Sequence, residues 1–157
     1  MAFFDRLRAL LPGRPAPGAL GRGQRLVERG RLDEAEAAFR EALAEAARPA
    51  DVAAARNKLA IVAVRRGNRT AAIEELIVAL EAEPRSAAAI TTTGNLLLED
   101  GAIAEAIVHY ESALVADDEY APAYHNLGVA LHRSGKRGEA VRMLRKATRL
   151  ESRNSRR

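Results

Sequence analysis

The sequence predicts an all-α fold of tandem helix-turn-helix repeats, and three observations carry that prediction. Three stretches of 34 residues, beginning at Ala53, Ala87 and Ala121, lie over one another without a gap. In that register Gly67, Gly101 and Gly135 form one column, Ala72, Ala106 and Ala140 a second, and Ala79, Ala113 and Ala147 a third, with Leu76, Tyr110 and Leu144 as the large residue between the alanines. Alanine is common here, but glycine is only about 7% of ordinary sequence, so the glycine column carries the more weight. The composition agrees: 48% hydrophobic residues with 4% aromatic and no Trp suit closely packed helices better than a sheet, which favours β-branched and aromatic side chains.

Each element then has a local reason. Residues 1–11 place Phe3, Phe4, Leu7, Leu10 and Leu11 on one helical face and Asp5, Arg6 and Arg8 on the other, the spacing of a short amphipathic helix. So short a helix is marginal in water by itself and needs a surface. Two are open to it: a membrane leaflet, where the interface takes up Phe and Leu while anionic lipid meets the arginines, and the protein's own first repeat. Residue 2 is not glycine, which excludes myristoylation. Residues 12–18 hold three prolines and two glycines and read as a linker.

Residues 19–52 repeat the column order once more, with Gly30 at the turn and Ala35, Phe39 and Ala42 as small, large and small. This unit is displaced, Gly30 to Gly67 being 37 residues rather than 34. The extra residues should lengthen the helix or loop around residues 46–50. Gly21 and Gly23 fall inside its first helix, which predicts a frayed, degenerate repeat at the end of the array, where one side faces water.

Regular units follow at 53–86, 87–120 and 121–152. In each, glycine should close the first helix, because the turn needs a left-handed residue with no side-chain penalty. The alanines let the helices approach, and the leucine or tyrosine fills what remains. Pro84 should end a second helix, while Asp118 and Ser152 in that column predict less sharply defined ends. An early glycine is present as Gly94 and Gly128 but is Ala60 in the first regular unit. In the last helix Val141, Leu144, Ala147 and Leu150 form an apolar stripe and Met143 lies off it, as exposed apolar surface; residues 153–157 are a basic tail.

This period and its order of small and large residues resemble the tetratricopeptide repeat. The resemblance implies a right-handed α-solenoid whose first helices line a concave groove that binds peptides or helices of other proteins. Carried over column by column, the groove positions are Asn57, Lys58, Ile61 and Arg65; then Thr91, Thr92, Asn95 and Leu98; then His125, Asn126, Val129 and His132. Amides and hydroxyls there can hydrogen-bond an extended backbone, and Ile61, Leu98 and Val129 would give shallow apolar contacts. Chaperone-binding members of the family clamp a C-terminal carboxylate with Lys and Asn, then Asn, then Lys and Arg. In one register those columns hold Asn57 and Ile61, Thr92, and Pro122 and Asn126; in the other, Leu20 and Gln24, Lys58, and Ala88 and Thr92. Neither supplies the clamp.

Other chemistry is thin. Zero Cys removes disulfides, thiolate metal sites and thiol catalysis. His125 and His132 share a helical face but stand about 10 Å apart at a rise of 1.5 Å per residue, too far to share a metal without a third ligand. His109 reads as surface, the acids Asp117, Asp118 and Glu119 as a solvated loop, and no phosphate-binding glycine loop is present. No cofactor, metal or catalytic residue is expected.

Charge is segregated. Residues 1–31 carry net +5, residues 32–132 net −9 and residues 133–157 net +8, and residues 86–132 hold seven acids with no Lys or Arg. No run of roughly 20 apolar residues is present to span a membrane, and no secretory signal is apparent. Arginine outnumbers lysine 22 to 3, which suggests a GC-rich bacterial source and a cytoplasmic protein, with the first eleven residues available for attachment at the inner face of the plasma membrane. The expected function is a non-enzymatic adaptor with a protein or peptide partner in its groove. The alternative is a nucleic-acid-associated protein acting through its Arg-rich C-terminal segment; a pI near 9.9 favours it, and the lack of aromatic stacking residues beside those arginines weighs against it.

Overall fold

In the computed structural model of the chain, residues 18–156 are described, and the calls on residues 1–17 lie outside them. Eight α-helices fill the described residues: α1 (Ala19–Glu28), α2 (Leu32–Ala44), α3 (Pro49–Arg65), α4 (Arg69–Ala82), α5 (Ala87–Glu99), α6 (Ile103–Ala116), α7 (Ala121–Arg133) and α8 (Arg137–Asn154). They pair as α1–α2, α3–α4, α5–α6 and α7–α8, four helix-turn-helix units stacked in order.

The glycine column sets the turn inside each unit. Gly30, Gly67, Gly101 and Gly135 have φ of +73, +73, +78 and +86°, and no other residue type has positive φ among the described residues. The residue after each glycine donates its N–H back to a carbonyl five residues earlier, as in Arg31 to Leu26, Asn68 to Ala63, Ala102 to Leu97 and Lys136 to Leu131, all at 2.9 Å. Carbonyls that the helix end would leave open are thereby satisfied, and the chain reverses sharply enough to lay the second helix on the first. Starts are set by side chains in two cases: Asn68 Oδ1 accepts from Ala71 N at 3.1 Å and Ser86 Oγ from Ala89 N at 3.4 Å. Pro49 and Pro122 occupy the first turns of α3 and α7, where a missing N–H costs nothing.

The small columns permit the packing. Ala35, Ala72, Ala106, Ala79 and Ala113 are fully buried, and Phe39 and Tyr110 show no exposed surface. A Cβ at Gly94 would stand 2.7 Å from the Tyr110 ring, and one at Gly128 would stand 2.8 Å from Leu144. Gly23 belongs to the same column, since its added Cβ would lie 2.3 Å from the Phe39 ring. The expectation of a frayed first unit is therefore corrected: α1 is ten helical residues, and Gly23 is the place where Phe39 seats against it.

Other differences concern ends and faces. The extra residues before the first regular unit appear as helix, α3 starting at Pro49 and running 17 residues against 13 for α5 and α7. Although α6 lacks a proline at its end, it stops at Ala116, the position equivalent to Ala82 in α4. The last helix runs through Asn154 into the segment expected as a tail, and Arg153 forms an ion pair with Glu119 in the loop between α6 and α7. On α8 the apolar roles of two residues are exchanged: Val141 is 46% exposed, whereas Met143 packs on the core formed by Tyr110, Leu127 and Leu131.

First helices of successive units touch one another, α1 to α3, α3 to α5 and α5 to α7, while the second helices α2, α4, α6 and α8 do not. The first helices therefore form the tighter inner surface, and the second helices spread over the outer one.

Candidate functional site

The inner surface is built from seams between successive first helices. At each seam the residue directly after the packing position of one unit meets a residue of the next unit. At the first seam Lys58 Nζ donates to Gln24 Oε1 at 2.7 Å. At the last, Asn126 Nδ2 donates to Asn95 Oδ1 at 2.8 Å, and the Tyr110 hydroxyl donates to the same oxygen at 2.9 Å. Both seams are closed by hydrogen bonds. The middle seam has Ile61 and Thr92 at the matching positions, and Thr92 Oγ1 turns to its own helix, donating to Ala88 O at 3.0 Å. With no polar pair to close it, a hollow opens there, lined by Ile61, Val64, Arg65, Thr92, Asn95, Leu96 and Glu99.

That hollow gathers Ile61, Arg65, Thr92 and Asn95 from the twelve groove positions expected from sequence. Val64, Leu96 and Glu99 were missed, although all three sit on the same two helices within a turn of expected positions. Asn57 and Thr91 are 4% and 3% exposed, and Asn57 Oδ1 and Thr91 Oγ1 are buried with no hydrogen-bond partner. They share one column, and His125 in that column of the last unit is exposed; a following unit is what covers this position. Asn57 and Thr91 thus do not reach the groove surface, while Lys58, Leu98, Asn126 and Val129 remain half-buried and His132 exposed.

Electrostatics along this surface follow from burial. The Lys58 ammonium is pushed below the ordinary lysine range by burial, with the charge of Glu28 opposing the shift. Burial pushes the Tyr110 phenol up to about 12, the nearby Arg133 pulling it down and Glu99 pushing it up. Arg65 and Glu99 are the charged residues lining the hollow. Among the described residues no cluster of three or more His, Cys, Asp or Glu side chains is placed to hold a metal, and no helix is long and apolar enough to cross a membrane.

Comparison with known proteins places this geometry. Residues 20–63 and 121–154 match family models described as tetratricopeptide repeat, and residues 94–135 match one described as TPR repeat. Protein FlbA of Caulobacter vibrioides is 37% identical over 128 residues, which cover 81% of this chain; the chain spans about a fifth (21%) of that relative's length. The crystal structure of MamA superposes with a TM-score of 0.61 at 22% identity, covering 96% of this chain and 87% of MamA. That of YrrB, described as a TPR protein with an unusual peptide-binding site, superposes with a TM-score of 0.57 at 26% identity, covering 96% of this chain and 76% of YrrB.

Proposed function

Because the chain belongs to the tetratricopeptide repeat family, whose arrays serve as scaffolds for protein interaction, we propose that it is a non-enzymatic adaptor that holds an extended segment of a partner along its inner surface. The observation that carries this reading is the open middle seam. Its apolar wall of Ile61, Val64 and Leu96 suits one aliphatic side chain, Arg65 and Glu99 flank it, and the amides of Asn95 and Asn126 stand next to it for a peptide backbone. The peptide-binding description of YrrB supports the same class of partner.

Panning a random-peptide display library against the full chain tests the proposal. The expected outcome is a set of peptides sharing an aliphatic position, whose binding falls at least about tenfold in Ile61→Asp while the circular dichroism spectrum is unchanged. Selected peptides indifferent to Ile61→Asp, Arg65→Ala and Asn126→Ala alike would overturn it.

Attachment to a membrane through Phe3, Phe4, Leu7, Leu10 and Leu11 is part of the same proposal and rests on the sequence pattern alone. Full chain that co-sediments with anionic vesicles, loses them at high salt and fails to bind as Phe4→Asp supports it. Stability lost on removing residues 1–12 without any vesicle binding would instead make the segment a cap on the first unit. The basic C-terminal segment is the feature that would favour nucleic acid; absence of RNA and DNA binding at low salt removes that alternative.

A further inference from the structure

We propose that two copies of this chain associate through the outer surface of their second helices, around a two-fold axis that runs along α6. The inference rests on three outward columns of the repeat register, all nine of whose residues are exposed. One column reads Glu74, Val108, Arg142; the next reads Ile77, Glu111, Arg145; the third reads Glu81, Val115, Arg149. Taken helix by helix, α4 presents two acids around an isoleucine, α6 presents two valines around an acid, and α8 presents three arginines.

Such an arrangement is self-complementary. A two-fold rotation about the direction of α6 brings α4 of one copy onto α8 of the other, twice over, and lays α6 on α6. Glu74 then faces Arg142 and Glu81 faces Arg149 of the second copy, while Val108 and Val115 meet their own counterparts on the axis. Glu111 meets its own counterpart on the axis, with Arg145 of each chain on either side of the pair to offset their repulsion, and Ile77 faces Arg145 of the second copy.

The side chains are in a state that fits this use. Val108 and Val115 are 57% and 79% exposed, and among the described residues all five large exposed apolar side chains lie on α4, α6 or α8. Glu74, Glu81, Glu111, Arg142, Arg145 and Arg149 form no ion pair within the described chain, whereas Arg56, Arg66 and Arg69 are each paired across helices. Apolar residues flanked by unspent charges of opposite sign mark an association surface rather than a solvated face. Because the second helices splay, contact is closest along α6 and opens toward α4 and α8, so the interface is small and held largely by charge, and the dimer is expected to be reversible and sensitive to salt.

Charge exchange tests this directly, by sedimentation velocity on the full chain at low ionic strength. The wild type is expected to pass from monomer to dimer with concentration and to return to monomer as salt is raised. Arg142→Glu/Arg149→Glu and Glu74→Arg/Glu81→Arg are each expected to weaken self-association at least about tenfold with the helical spectrum intact. A one-to-one mixture of the two is expected to dimerise, because the acidic α8 of one then faces the basic α4 of the other. A wild type that stays monomeric up to about 100 μM overturns the proposal, as do variants that dimerise alone or a mixture that does not. A monomer whose Arg142, Arg145 and Arg149 instead retain RNA overturns it as well.

Discussion

The two surfaces of this array use the same repeat differently. On the inner surface the polar side chains are engaged with one another: Lys58 with Gln24, and Tyr110 and Asn126 with Asn95. On the outer surface Glu74, Glu81, Glu111, Arg142, Arg145 and Arg149 form no ion pair within the described residues, beside Ile77, Val108 and Val115. First helices touch from unit to unit, so an inner residue has a residue of the next unit opposite it, which closes the first and last seams with hydrogen bonds and leaves the middle one open; second helices splay, and an outer residue faces water or another molecule. A column of the repeat is therefore engaged where the next unit supplies it a partner and open where it does not.

The largest expected effect lies where the inner surface is most interlocked. Tyr110→Ala removes a fully buried ring that seats against Gly94 and anchors Asn95, and is expected to cost about 3–5 kcal/mol by denaturant unfolding, the range for large-to-small aromatic changes. A loss no greater than that of a surface substitution would break the contrast between the faces.

Backbone changes come next. Gly94→Ala puts a methyl 2.7 Å from the Tyr110 ring, and Gly101→Ala meets open space but at a φ of +78°. Overpacking costs about 1–3 kcal/mol and a left-handed alanine roughly 1–2 kcal/mol, so the two should be similar in size for different reasons. Adding Tyr110→Phe, which leaves the ring in place, should rescue neither.

Titration sharpens the same contrast. The folded pKa of Tyr110 is raised to about 12 from an ordinary 10. Its contribution to stability is therefore complete below pH 10 and is lost as pH rises from 10 through 12, since the unfolded chain ionises first. Tyr110→Phe should flatten that alkaline decline in urea-unfolding free energy. An unchanged decline would place its origin elsewhere. Outer changes should be smallest of all: Val108→Ser and Val115→Ser are expected to alter unfolding of the monomer by no more than about 0.5 kcal/mol.

What could be read from sequence divides along the same line. The turns were legible because glycine at positive φ is a strict local demand, met four times at the column of Gly67. The small-large-small order was legible because it recurs at the repeat spacing and its tightest approaches, Gly94 to Tyr110 and Gly128 to Leu144, lie within one unit. Gly23 was misread because its contact with Phe39 is visible only once the 16-residue spacing of Gly94 to Tyr110 is applied to the displaced unit. Val141 and Met143 exchanged roles because a single-helix stripe ignores the flank covered by the preceding helix. Ala55, Ala89 and Ala123, all without exposed surface, went unnoticed as a column because the surfaces they meet belong to other units. The groove suffered most: burial of Asn57 and Thr91, and the hollow at Ile61, depend on what the neighbouring units place opposite them.

The central claim is that the middle inner seam receives a partner because no polar pair closes it. Ile61→Asn/Thr92→Asn would install there the pair that Asn95 and Asn126 form at the last seam. The most direct measurement is amide chemical-shift mapping of the full chain with a display-selected peptide, in wild type and in this variant. The account predicts shifts at Ile61, Arg65, Thr92, Asn95 and Glu99 in the wild type, none along Glu74, Val108 or Arg142, and their loss in the variant. Shifts confined to the outer columns, or unchanged binding to the closed seam, would contradict it.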